Sequence, residues 1–389
     1  MNKADAKKLT IFTSSHTVHH LYTIIIPSII PIIKVAFNLS YVEISLLPAF
    51  FSLGHLFQLL FGVYTDKYRK PHVIVAIGLI FISITIASLG VATDFYLLIF
   101  LTFMVGVASS TYHPAGTTLI VNNFPKRSGF ALGIHSIGGS LGYSIGPVLL
   151  GILIGFLGWR NSLFFYALPG LVVGSLYWFF LRDFKSSIID DSKDNSNSTQ
   201  PVFHFRSISL PLILLLLGNF MSQFAMETMQ DFVPIYLTDI YLVSISAAIF
   251  LLGLMRFFGV IGGPIGGLGI DRFGAKKIMM LGFIGQSILI FFFTQVNVDY
   301  GMYLILALLG LFVSIQLPAS NIYLAHLFPV KHRGKAFALY FTISISWISV
   351  VPILSGIIVQ QFGFELVFIV SSILSLTGAG VISLLKDLR

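Results

Sequence analysis

Six histidines fall inside long apolar stretches in the first half of this 389-residue chain: His16, His19, His20, His55, His113 and His135. The second half places Glu227, Asp231 and Arg256 in such stretches instead, with His326 at the edge of one. Imidazole is the side chain whose ordinary pKa best suits reversible protonation near neutral pH, so the histidines are candidates for proton uptake and release. Each could equally hydrogen-bond a backbone carbonyl or a neighbouring helix. In the second half Asn219, Gln223, Glu227 and Asp231 recur every four residues, with Gln230 beside them. That spacing lines one helix face with polar groups. Arg256 lies at a depth matching that of Glu227 within roughly 5 Å; the two form a structural ion pair, or Arg256 meets an anionic substrate or releases Glu227 to take a proton. Gln316, Asn321 and Tyr323, with Trp347, are candidates for the opposite wall. His16 and His20 share a face, and imidazole is a common metal ligand. His19 and His20 point about 100° apart, however, and no acid lies near in sequence, so no metal site is assigned. The chain has no cysteine, hence no disulfide, thiolate site or thiol nucleophile. No nucleophile–base pair stands at recognisable spacing, and an enzyme is set aside.

These groups must be held by membrane helices. Apolar residues make up 56% of the chain and charged residues 10%, with a mean hydropathy of +0.93. Runs of about 20 apolar residues match a bilayer core. The hydropathy pattern predicts an all-α membrane protein with twelve transmembrane helices, at residues 9–33, 41–65, 72–92, 95–121, 129–156, 161–182, 207–237, 243–269, 276–296, 300–326, 335–360 and 364–385. Residues 183–206, with Asp190, Asp191 and Asp194 among Ser and Asn, read as a cytoplasmic linker. They divide an N-terminal six-helix bundle (1–182) from a C-terminal one (207–389). At about 1.5 Å per residue, His20, His55 and His113 lie roughly 17, 15 and 12 Å from the inner face, and His135 about 9 Å. Of the 23 Lys and Arg residues, all but Lys34, Arg160 and Arg256 fall at one face if the N-terminus is cytoplasmic. This asymmetry predicts that both termini lie inside an integral plasma-membrane protein. It also explains the net charge of +8 without nucleic acid.

The chain repeats itself. Gly62-Val63-Tyr64-Thr65-Asp66-Lys67-Tyr68-Arg69-Lys70 is matched 205 residues later by Gly267-Leu268-Gly269-Ile270-Asp271-Arg272-Phe273-Gly274, with Lys276 and Lys277 beyond. Pro114-Ala115…Phe124-Pro125 is matched by Pro318-Ala319…Phe328-Pro329. Arg69 stands where the second copy has Gly274. These paired runs resemble the loop signature of the major facilitator superfamily, and the resemblance spans the whole chain. It implies two pseudo-symmetric six-helix halves around a central substrate path. It also implies gating at Gly62, Asp66, Lys67, Arg127, Gly267, Asp271 and Arg272. Asp66 is expected to pair with Arg127 or Lys126 when the inner gate is shut.

The fifth span carries Gly133, Gly138, Gly139, Gly142, Gly146-Pro147 and Gly151. Small residues of this kind let helices approach closely. The run also resembles the fifth-helix motif of superfamily members that exchange substrate for protons, with Leu150 where a further Gly is usual. Ser109-Ser110-Thr111-Tyr112-His113-Pro114 and Ser15-His16 resemble the fosmidomycin-resistance branch. That branch tends to have acids where this chain has His20 and Ala115, which moves proton handling toward His20 or His113. The resemblance implies a proton-coupled exporter of a small organic, anionic or drug-like molecule. The alternative is proton-coupled uptake of a small organic anion, and a more remote one is a non-transporting membrane sensor. The proton is the coupling ion, with no other cofactor. The expected partners are the small-molecule substrate, protons and membrane lipid, and the chain is expected to be a monomer.

Overall fold

The computed structural model describes residues 3–68, 70–181, 209–328 and 333–387. The expected linker over 183–206 lies outside them. The described residues are helical throughout, with short turns and no strand. Nine predicted spans have a single counterpart each among Asp5–Ala36, Tyr41–Thr65, Pro71–Leu89, Phe95–Asn123, Leu210–Asp239, Ile245–Phe273, Ala275–Phe293, Tyr300–Leu327 and Phe364–Ser383. Leu339–Phe362 supplies the eleventh. The fifth and sixth are joined in one run, Ser128–Leu181. Fifty apolar helical residues would measure about 75 Å, more than twice a hydrocarbon core. The run therefore has to turn, and it does so at Gly158, where φ is 70° and ψ 162°. Twelve spans result, and the even number brings both ends of the described chain to one face, called here the terminal face.

The two-fold repeat extends into local chemistry. Gly363 turns the eleventh span into the twelfth with φ 86° and ψ 172°, 205 residues after Gly158. Helix starts on the face opposite the termini are capped in equivalent pairs. Ser40 accepts from the Glu43 N–H and Ser244 from that of Ala247. Asp94 accepts from the Leu97 N–H at 2.9 Å and Asp299 from that of Gly301 at 2.8 Å. These side chains satisfy donors that a helix start leaves orphaned. The Leu97 N–H also holds the exposed Asp94 carboxyl below its usual range. Tyr96, Phe156 and Tyr300 are strongly exposed on this same face, where aromatic rings suit the boundary between lipid and water.

Four spans are interrupted at prolines. The first breaks at Ile24, the fourth between Ser109 and Tyr112, the tenth at Ile315 and the eleventh between Ile348 and Val351. Pro27, Pro114, Pro318 and Pro352 follow within a turn, and each lacks the N–H that would reach the carbonyl four residues back. Nearby hydroxyls bond other carbonyls at the fourth-span break: Ser110 donates to Val107 and Thr111 to Ala108. The second span also breaks, at Leu56–Phe57, without a proline there. Small residues set the helix crossings. A Cβ on Gly106 would run into the Phe51 carbonyl beside Gly54, and one on Gly310 into the Met255 carbonyl beside Gly259. The second and fourth spans thus cross as the eighth and tenth do.

Candidate functional site

Proline-induced breaks and glycine contacts together bring the histidines into one cluster. The fifth-span glycines face the first span. A Cβ on Gly138 would meet the Thr13 carbonyl. One on Gly139 would lie 2.7 Å from the His16 ring and 2.8 Å from that of His20. One on Gly142 would strike the Thr17 carbonyl, and one on Gly146 would lie 2.7 Å from Ile24. Gly151 faces the other half: its carbonyl accepts from Ser246 at 3.3 Å. Pro147 lies 3.5 Å from a Cβ built on Gly253. Backbones this close let the first, fourth and fifth spans pack imidazole on imidazole.

The ring geometry is compact. His16 stacks on His135 at 4.0 Å and lies 4.5 Å from His20. His113, from the fourth span, stands edge-on to His16 at 5.6 Å and to His19 at 5.0 Å. It is 5.2 Å from His20. Tyr112 stacks on both His19 and His16. His16, His19, His20 and His135 are buried, whereas His113 is half-buried. His55 lies outside this stack and shares a 2.8 Å hydrogen bond with Ser109. Tyr112 and Tyr143 stand in this cluster although neither is a candidate from sequence. Their only signal in sequence is adjacency to a selected residue or to the fifth-span glycines.

The second half meets this cluster through one aromatic ring. Tyr143 lies 4.3 Å from His20 on one side, and the Arg256 guanidinium sits 5.1 Å from its centroid on the other. Tyr143, Arg256, Ser140, Met226, Met255 and Ser314 line a cavity of about 60 Å³ between the halves. Glu227 accepts from Gln230 at 3.3 Å, and among the described residues neither it nor Asp231 forms an ion pair with Arg256 within 4.0 Å. Both Asp231 oxygens and Arg256 Nε are buried without a hydrogen-bond partner. Glu227 and Arg256 are half-buried and Asp231 is fully buried, so the unpartnered atoms belong to Asp231 and to one nitrogen of Arg256.

The polar stripe divides by role. Asn219 is buried and accepts from Ser320 at 2.7 Å. Ser222 Oγ lies 2.7 Å from both Gln286 and Gln316 Oε1, and Gln316 donates to Gln286 at 2.8 Å. These contacts tie the seventh, ninth and tenth spans together as satisfied core polar groups. Gln316 is thus held by Gln286, a residue the sequence pattern did not single out. Gln223 is half-buried, and Asn321 leaves its Oδ1 buried and unpaired.

The two faces differ. Opposite the termini, Lys34 and Asp239 make a 2.9 Å salt bridge across the halves. They occupy equivalent positions 205 residues apart. Tyr41 donates to the same Asp239 carboxylate at 2.9 Å, and the Tyr41 N–H donates to Gln360. Toward the terminal face a cavity of about 320 Å³ separates the halves, lined by His55, Gln58, Gly62, Pro114, Phe337 and Thr342. The closed end carries the latch and the open end carries the predicted gating loops. Lys67, Arg127, Asp271 and Arg272 are exposed there, and among the described residues none of the four forms an ion pair. Nothing lies within 4 Å of a Cβ built on Gly267. The side chains of Asp66 and Lys126 lie outside the described residues, so their expected pairing is not placed.

Residues 12–269 and 215–388 match the model of the Major Facilitator Superfamily. The chain belongs to that superfamily. The overlapping matches accord with the internal repeat. The chain is therefore an integral membrane transporter and not an enzyme. It is 24% identical to the fosmidomycin resistance protein of Escherichia coli (strain K12), over 94% of this chain and 89% of that one. It is 27% identical to the sialic acid transporter NanX of the same organism, over 78% and 74%. Its backbone superposes with TM-score 0.82 on a bacterial homologue of the human lysosomal transporter Spinster, in an inward-facing and occupied conformation. That match has 16% identity and covers 99% of this chain and 97% of the other.

Proposed function

We propose that this facilitator exports a small organic molecule, anionic or drug-like, in exchange for protons. Its two halves, 1–182 and 207–389, rock about the site at Tyr143. The observation that carries the reading is Tyr143 itself, which touches His20 of one half and Arg256 of the other beside a cavity between them. A ligand there contacts both halves and can favour one arrangement over the other, which alternating access requires. Arg256, with an unpaired Nε, is the natural partner of an anion. His20, His113, Glu227 and Asp231 are the candidate proton carriers, and no further cofactor is invoked. The Lys and Arg asymmetry supports a plasma-membrane orientation with cytoplasmic termini, which makes the open end the inner one.

The second reading is proton-coupled uptake of a small organic anion. Arg256 fits an anion moving in either direction, and likeness to a sialic acid transporter favours it. The test is compound accumulation in an efflux-deficient host, using a labelled panel that includes a phosphonate and a sugar acid. Wild type, His113→Ala, Arg256→Gln and vector are compared with and without a protonophore. Export predicts lower accumulation with wild type, abolished by the protonophore and by His113→Ala at equal expression. Higher accumulation than vector establishes uptake. Transport left intact by Arg256→Gln removes Arg256 from substrate binding.

A further inference from the structure

We infer that His16, His20 and His113 form a three-imidazole site for a divalent transition-metal ion of the zinc, cobalt and nickel class. One ring nitrogen from each lies within 4.8 Å of the others. Nitrogens bound to one tetrahedral zinc at 2.0–2.1 Å stand about 3.3 Å apart. About 1.5 Å must therefore close at most, a distance that rotation about the side-chain torsions covers.

The surroundings orient the rings as ligands. His16 Nδ1 is 2.7 Å from the His135 carbonyl, and His16 Nε2 is buried with no partner. A ligating histidine characteristically donates its other N–H to a carbonyl in this way, which fixes the tautomer and leaves a free lone pair. His20 Nδ1 lies 3.2 Å from the Thr23 hydroxyl, a second support of the same kind. His19 Nε2 and His135 Nδ1 are also buried and unpartnered. Buried ring nitrogens are normally satisfied, and of these three the His16 Nε2 belongs to the ligand set and is the one an ion would satisfy.

The donor set selects the metal. With neutral nitrogen and no thiolate or carboxylate among the three ligands, magnesium and calcium are disfavoured and zinc, cobalt and nickel suit it. Three ligands on zinc leave a fourth position for water or an anion. Access follows from His113, which is half-buried. Its neighbour Pro114 lines the 320 Å³ cavity that opens toward the terminal face. In sequence the metal site is not assigned because His19 and His20 point about 100° apart and no acid lies near, which leaves the first span only His16 and His20 on one face. The third comes from a different span.

Metal and proton compete for the His20 and His113 nitrogens, whichever organic molecule is moved, so the test measures binding at fixed pH and not transport. Full-length, tag-free protein in detergent is freed of metal and titrated with Zn²⁺ by calorimetry, with bound metal counted after dialysis. Co²⁺ is added in parallel and read by its visible absorption. The site predicts one ion per chain, a tetrahedral Co²⁺ spectrum, and at least tenfold weaker binding in His20→Ala and in His113→Ala. The exposed His326→Ala serves as control and should leave both unchanged. Size-exclusion profiles establish that each variant is folded, and His20→Asn or His113→Asn replaces the alanine variant at that position if it is not. No saturable binding by folded wild type overturns the proposal. Binding that survives both substitutions, or that is lost in His326→Ala, overturns it equally.

Discussion

At the scale of single residues, the buried polar groups fall into a bonded set and an unbonded set. Ser222, Gln286 and Gln316 are buried but bonded to one another, while Asp231, Arg256 Nε and His16 Nε2 are buried and unbonded. Residue type and spacing made His16, His20, His113, Glu227, Asp231 and Arg256 visible in the sequence. Tyr143 was not visible, because aromatic residues are common in this chain and only its rotation toward both halves distinguishes it. The fifth-span glycines divide by crowding. Gly142→Ala forces a methyl group against the Thr17 carbonyl and to 2.9 Å from His20 Cβ. Overpacking of a tight crossing costs about 1–3 kcal/mol, so the variant should melt measurably lower in detergent. Gly133 has nothing within 4 Å of its added Cβ, and Gly133→Ala should be neutral or raise the midpoint through the better helix propensity of alanine. Equal melting of the two variants would show that the fifth-span glycines are not there to admit the first span.

At the scale of elements, the twelve spans were legible because a bilayer imposes their length and hydropathy. The paired loops were legible because glycine, proline and charge punctuate them. The turn at Gly158 was legible as a gap between two runs, but its form was not. The helix continues on both sides of one residue whose φ of 70° and ψ of 162° only glycine adopts without strain. The convergence of His113 on His16 was likewise hidden, since it depends on how the fourth span turns about its axis beyond the break near Pro114. Gly158 and Gly363 hold almost the same conformation, with nothing within 4 Å of either added Cβ. Steric crowding by neighbours is therefore absent, and the cost of a side chain is that of the backbone alone. Gly158→Ala and Gly363→Ala should each destabilise by about 1–3 kcal/mol, and by similar amounts. Thermal unfolding in one detergent checks both. A neutral result at either site would mean that the turn relaxes into an ordinary conformation.

At the scale of the whole molecule, the two ends are held by unequal forces. Opposite the termini, Asp239 joins Lys34 and Tyr41 of the other half, and Ser45 is buried against Gly356, whose added Cβ would lie 2.7 Å from its hydroxyl. Toward the terminal face the cavity keeps the halves apart, and Val63 on its wall is 68% exposed. A partly exposed ion pair contributes at most about 1 kcal/mol, which corresponds to roughly a fivefold change in a two-state population. That size suits a gate, since a much stronger latch could not be released by a modest ligand. The chain has no cysteine, so single cysteines report access without background. In cells or oriented vesicles, Ser45→Cys should react slowly with a membrane-impermeant thiol reagent from the face opposite the termini, and Val63→Cys quickly from the terminal face. Adding Asp239→Asn should speed labelling at Ser45→Cys by up to about fivefold while changing Val63→Cys much less, because the open population is already the larger one. The charge swap Lys34→Asp with Asp239→Lys should return Ser45→Cys toward its slow rate, since the pair is rebuilt with its sign reversed. Unchanged labelling in Asp239→Asn would leave the closed end to helix packing between Tyr41–His55 and Val351–Phe362 and reduce the salt bridge to a surface contact.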